Sequence, residues 1–312
     1  MNNLIEKEEQ EGFMKFVIKV QSALEDYYGE DGEVFVRDIL KNNGLKLKGV
    51  CVVKPGINAY PTLYLESFFR SYQEGETFGN IVSNIIGVIE SNDGGINLDI
   101  SSYTDYERAK KKLMYRLVNS DNNEELLSGV PYIPYLDLAI VFYVEMFDER
   151  NGTGTILVRK EHLDLWGVSV EELYAQAREN TPRMNPIKLL SLQEMLSNYG
   201  MGNVLSQNSD QGGDDRVNFP IYVVTNNAQV FGASVLLYDD FLEHMRQYMG
   251  DTYAIIPSSI HEIIVLPVSD YDEAARLSGM IREVNRLEVA PQEVLSDNPY
   301  YYDSVKGLMR AV

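Results

Sequence analysis

The chain is short of the residues that most often carry chemistry, and each shortage excludes a class of protein. Cys51 stands alone, so there is no intrachain disulfide and no cysteine-rich zinc site. The three histidines, His162, His244 and His261, lie far apart, and His261-Glu262 runs on into Ile-Ile-Val, so no HExxH metal helix exists. No stretch of about 18 apolar residues occurs, which argues against a transmembrane helix. The nearest candidate, Tyr135 to Phe147, is short and carries Asp137 and Glu145. Positive charge is scarce: 27 basic residues face 47 acidic ones, for a net charge of -20. Such a surface repels phosphate backbones and anionic lipid, so neither nucleic acid nor membrane is expected as a partner. One basic run, Arg108 to Lys112 with Arg116 just beyond, lies at the end of an expected helix, where cations complement the dipole. The acidic opening MNNLIEKEEQEG is unlike a secretory leader, so a cytoplasmic protein is expected.

What is present is patterned. Phe13, Phe16, Val17, Val20, Leu24 and Tyr27 recur at helical spacing, and Gly29 to Gly32 ends that helix. Residues 34–54 read as a hairpin turning at Asn43-Gly44, since both residues accept the positive φ of a type I′ turn. Pro61 suits the first turn of a helix that carries Tyr64, Leu65, Phe68, Phe69 and Tyr72 inward. Thr77 caps another, with Phe78, Ile81, Val82, Ile85, Ile86 and Ile89 on one face and a stop at Asn92 to Gly95. Capping boxes appear at Thr104/Glu107, Ser169/Glu172 and Ser191/Glu194. Strand-like runs cover Leu113–Asn119, Leu136–Phe147 and Thr155–Lys160, the last two joined at Asn151-Gly152. Residues 199–217, rich in Gly, Asn, Ser and Asp, read as a long surface loop. Beyond it come strands at Ile221–Thr225 and Phe231–Leu237, then a helix with Phe241, Leu242, Met245 and Tyr248 inward. A hairpin around Pro257 and a helix with Leu277, Met280, Ile281 and Val284 inward complete a ββαββα unit. Short connections between consecutive strands imply antiparallel pairing, so the fold class is α+β: antiparallel sheets with packed helices. Three segments follow: an α+β lobe over 1–160, a helical connector and loop over 161–218, and the ββαββα lobe with its tail over 219–312.

The stretch YAIIPSSIHEIIVLP, Tyr253 to Pro267, holds the one cluster that could carry a reaction: Ser258, Ser259, His261 and Glu262. A serine beside a histidine meets the minimal need of an activated hydroxyl. No GxSxG elbow surrounds either serine, and hydroxyls at a chain reversal ordinarily bond the turn backbone. The other motifs carry less. Asp210, Asp214 and Asp215 fail the calcium-loop spacing. Gly152-Thr-Gly154 and Gly200-Met-Gly202 lack the strand–turn–helix setting and the lysine of a phosphate cradle. Cys51 reads as packing within a strand. Toward the end, Ser296 or Asp297 could cap a short helix, and Tyr300, Tyr301 and Tyr302 offer aromatic area for a contact surface or, in preference, for docking the tail on the core.

Several of these stretches resemble a known family. They are Lys41–Gly44, Pro61–Leu65, Tyr115–Asn119, Pro131–Phe142, Tyr222–Asn226, Gly232–Ser234, Pro257–Glu262 and Glu293–Asp297. Together they are similar to bacterial proteins grouped as domain of unknown function 5688, seen mainly in anaerobic gut bacteria. The resemblance implies a bacterial protein and brings no catalytic residues with it. The function expected is that of a non-catalytic protein binding a protein or small-molecule ligand, with no cofactor and no metal. The alternative is a hydrolase using Ser258 or Ser259, His261 and Glu262. An acidic mimic of nucleic acid is disfavoured, because the acidic residues are spread along the chain.

Overall fold

The computed structural model describes residues 2–91, 101–148, 152–191, 194 and 220–311. The loop 199–217 with its aspartates, the stop at Asn92 to Gly95 and the turn residue Asn151 lie outside these. Every described strand pair is antiparallel and the chain is α+β. Contacts divide it into two units, residues 1–41 with 45–100 and residues 42–44 with 101–312. The sequence reading sets its boundaries instead at 160 and 218.

The first unit has a helix, Asn2–Tyr28, a three-stranded sheet and two further helices. The sheet runs in the order β1 (Glu33–Leu40), β2 (Lys46–Val53), β3 (Leu63–Tyr64). Asn43 and Gly44 take φ of 59° and 68° at the β1–β2 turn, the backbone that their side chains permit. The helices Leu65–Gln73 and Phe78–Ser91 complete a core of Phe16, Val20, Leu24, Val50, Leu65, Ile81, Ile85 and Ile89. Three details differ from the periodic reading, one being that Tyr72 is exposed and not inward. Tyr28, not Tyr27, faces in, and its hydroxyl donates to Glu90 at 2.8 Å. Pro61 does not open the helix, because Leu63 and Tyr64 first pair with Val50 and Gly49.

The second unit is built on two sheets. In one, β6 (Leu138–Asp148) is central, with β4 (Leu113–Asn119) along one edge. β5 (Tyr132–Tyr135) and β7 (Gly152–Leu157) share its other edge. The other sheet has the order β13-β12-β10-β11-β9-β8. Its strands are β8 (Ile187–Ser191), β9 (Tyr222–Asn226), β10 (Thr252–Ile256), β11 (Ile263–Pro267), β12 (Tyr300–Asp303) and β13 (Gly307–Arg310). Side chains from both sheets share one core: Leu117, Ile140 and Phe142 from the first, Val224, Tyr253, Ile255, Ile263 and Tyr300 from the second. The segment read as a connector contains the helices Lys160–Trp166 and Val170–Met184 and then β8, which pairs with β9.

The ββαββα reading needs correction. Phe231–Leu237 is not a strand: Gly232–Leu237 is a 3₁₀ helix with all six residues buried. A short apolar run of this kind has no period-2 alternation to make it a strand. The close approach at Gly232 decides the matter, as described below. The chain also continues past the last helix, Ser278–Glu288, into β12 and β13. No helix starts at Ser296; Tyr300, Tyr301 and Tyr302 instead pair with β10 and are buried. Among the caps, Ser169 and Glu172 exchange their two bonds, as do Ser191 and Glu194. At the third, Asp105 displaces Thr104 as the cap and accepts from the Glu107 N–H at 2.9 Å.

Candidate functional site

β10 ends at Ile256 and β11 begins at Ile263, so Pro257–Glu262 is a six-residue connection and not a tight turn. It is held by the segment 290–298, far on in the chain. Ile260 N–H donates to Glu293 O (2.8 Å), Leu295 N–H to Ser258 O (3.1 Å) and Ser296 N–H to Pro257 O (2.8 Å). A bridge at Ser259–Val294 lies between them. Ser259, buried, accepts the His261 N–H on its Oγ at 3.0 Å. His261 Nδ1 accepts the Phe231 N–H at 3.3 Å, and Nε2 lies 3.9 Å from Glu293 Oε1. Glu262 and Ser258 are half-buried. The four sequence candidates therefore sit together, yet no serine hydroxyl is paired with the imidazole among the described residues.

The same place gathers residues that the sequence reading passed over. Thr225, at the end of β9, donates through Oγ1 to His261 O at 2.7 Å. Gly232 lies directly beneath both: a Cβ there would sit 2.1 Å from Thr225 Oγ1 and 2.2 Å from His261 O. Only glycine allows this crossing, and Ala233 N–H then reaches Ile260 O at 3.2 Å. Just before it, Phe231 takes a φ of 54°, an outlier for a bulky side chain. That backbone aims the Phe231 ring into an aromatic group. Tyr143 meets it edge-on at 5.4 Å, and His261 lies nearly parallel at 6.1 Å.

Arg116 covers the same ring, its guanidinium carbon 4.5 Å from the centroid. It projects from the middle of β4, between the buried neighbours Tyr115 and Leu117. Its Nε is sealed from solvent and makes no hydrogen bond. Among the described residues no carboxylate lies within ion-pair distance of it. Burial pulls its pKa below the ordinary guanidinium value, with Tyr143 opposing. Two more orphans lie along the same turn, Asn226 Oδ1 and Ser234 Oγ, both buried. The signal for Arg116 was present in LMYRLVN, a charge inside an apolar strand, but the lysines just before it grouped it with a basic run at a helix end.

A second polar group anchors 290–298 from the other side. Asp137, buried in the β5–β6 turn, accepts from Ser296 Oγ (2.7 Å), Asn298 Nδ2 (2.9 Å) and the Tyr300 hydroxyl (2.6 Å). The carboxylate and burial together push the Tyr300 pKa well above its usual value, burial being the larger cause. Asn285 Nδ2 donates to Ser296 O and Asp297 Oδ1, Asn119 Nδ2 to Leu295 O, and Asn43 Nδ2 to Val294 O.

The other histidines and the cysteine lie elsewhere. His162 Nδ1 accepts the Arg159 N–H at 2.8 Å within a helix cap and touches the Tyr103 hydroxyl. His244 is exposed, and Cys51 is buried in β2 with its thiol pKa raised by that burial. Among the described residues no three His, Cys, Asp or Glu side chains come together as a metal site, and no helix is long and apolar enough to cross a membrane.

The fold and site thus define an antiparallel α+β protein whose polar centre is a chain crossing lashed by asparagine, serine and aspartate. The model of a family of unknown function, DUF5688, matches residues 13–304, and the chain belongs to that family. No curated protein and no solved structure matches it.

Proposed function

We propose that the protein is a cytoplasmic bacterial binding protein, one that holds a small-molecule or protein ligand without transforming it. The reading rests on how the reactive atoms at 258–262 are spent. His261 Nδ1 takes a backbone N–H from Phe231, and Ser259 Oγ takes one from His261 itself. A neutral imidazole whose Nδ1 accepts a hydrogen bond carries its proton on Nε2, and here Nε2 is the nitrogen near Glu293. A general base for a serine needs a free ring nitrogen about 2.6–3.2 Å from the hydroxyl. The strained Phe231 and Arg116, unpaired among the described residues, are features that a ligand would use and that packing alone does not require. The net charge of -20 disfavours nucleic acid as that ligand.

A fluorophosphonate probe followed by intact-mass and peptide analysis tests this reading. The expected result is no adduct on Ser258 or Ser259. His261→Ala is expected to lower stability by about 1–2 kcal/mol, through the loss of a partner for a backbone donor. A stoichiometric adduct on either serine, suppressed in His261→Ala, would instead establish the hydrolase built on Ser258 or Ser259, His261 and Glu262.

A further inference from the structure

We infer that Arg116 is the anchor for the carboxylate of a small organic acid, bound against the Phe231 ring. The inference rests on the binding reading above and names the class of ligand. Arg116 is half-buried, with its Nε wholly sealed, and a guanidinium drawn from water without a counter-charge is costly unless it is paired or hydrogen-bonded. This chain has carboxylates in excess, 47 against 27 basic residues, yet among the described residues none is set against Arg116. Among the described residues, its Nε–H has no acceptor. One ring face, 4.5 Å away, compensates part of the charge but uses none of the N–H donors.

A second cost falls on the same spot. Phe231 is held at φ 54° by the glycine crossing behind it, which keeps its ring under the guanidinium. Strain of this kind persists where the surroundings over-determine it, and it concentrates at binding sites. The orphaned Asn226 Oδ1 and Ser234 Oγ flank that residue on either side in sequence.

The chemistry of the site favours a carboxylate over a phosphoryl group. A single planar fork matches two carboxylate oxygens. A doubly charged phosphate would call for further cations, and the nearby ionisable partner of His261 is the acid Glu293.

The test uses the full chain, labelled with ¹⁵N and titrated with sodium benzoate against sodium chloride of equal ionic strength. The Nε–H resonance of Arg116, assigned by its absence in Arg116→Gln, is expected to shift and saturate with benzoate. Calorimetric affinity should fall at least tenfold in Arg116→Gln. It should fall likewise in Arg116→Lys, which keeps the charge and the fold but loses the fork. Without ligand, Arg116→Gln should melt at or above the parental Tm, since it removes an uncompensated charge. Benzamide should not bind measurably. A resonance unmoved by benzoate, or equal affinity in the variants, overturns the inference. So does inorganic phosphate acting where benzoate does not. Benzamide binding as well as benzoate also overturns it while leaving the broader binding reading standing, and that broader reading fails only through a serine adduct.

Discussion

Gly232 shows how one residue can decide a local fold. Its missing side chain lets the chain cross beneath Thr225 and His261, so Gly232→Ala must push a methyl into a carbonyl oxygen and a hydroxyl. The expected cost is about 2–4 kcal/mol, read by urea unfolding, because neither neighbour is the free end of a flexible chain. A variant as stable as the parent would mean that the crossing is looser than described. His162 offers a different residue-scale test. Desolvation, with Arg159 adding to it, holds its pKa below the ordinary histidine value. The folded state therefore prefers the neutral ring. Its contribution is whole above the unfolded value of about 6.5 and is lost as pH falls through the depressed folded value. The parent should lose more stability than His162→Gln between neutral pH and about pH 5. Parallel pH profiles for the two would refute this.

At the scale of elements, the tail is held by polar bonds as much as by apolar burial. Asp137 gathers three donors from 296–300, a hydroxyl, an amide and a phenol. Asp137→Asn would turn one acceptor into a donor facing other donors, at a cost of about 2–3 kcal/mol. Amide exchange in β12 should rise before that in β10, since β12 begins at Tyr300. Uniform acceleration across the sheet would place the effect elsewhere. The helix Ser278–Glu288 carries a related lesson. Apolar spacing turned Met280 and Val284 inward, but both are exposed, at 52% and 42%. Asn285 faces in instead, drawn by Ser296 O and Asp297 Oδ1. A hydrophobic count assigns no weight to such a polar anchor, so it mis-set the rotation of the helix. The helix itself was legible, as were the hairpin turn at Asn43-Gly44 and the Ser169 cap.

For the molecule as a whole, the dominant electrostatic fact is the net charge of -20. Mutual repulsion among so many carboxylates works against the compact state and is screened by salt. The Tm should therefore rise between about 10 and 150 mM sodium chloride, as the Debye length shrinks from about 30 Å to about 8 Å. A flat or falling Tm would mean that local ion pairs outweigh the general field. The candidate site belongs to this scale too. Thr225 with Phe231, His261, Glu293 and Arg116 come from four separate parts of the chain. The serine–histidine cluster was visible because its members are adjacent in sequence. That its hydroxyls would bond nearby backbone was legible too; the partner of the imidazole was not, because Phe231 lies thirty residues away.

Sequence by itself determined the α+β class, the antiparallel pairing, the existence of most helices and strands, and the lack of a cysteine zinc site or disulfide. Those follow from local quantities: apolar period, turn chemistry, capping residues and residue counts. Only the tertiary structure decided that 232–237 coils into a 3₁₀ helix, that the triple tyrosine joins a sheet, and that Arg116 stands against Phe231 with no counter-ion among the described residues. Each of these depends on which distant backbone or side chain arrives alongside, and no local pattern encodes that arrival.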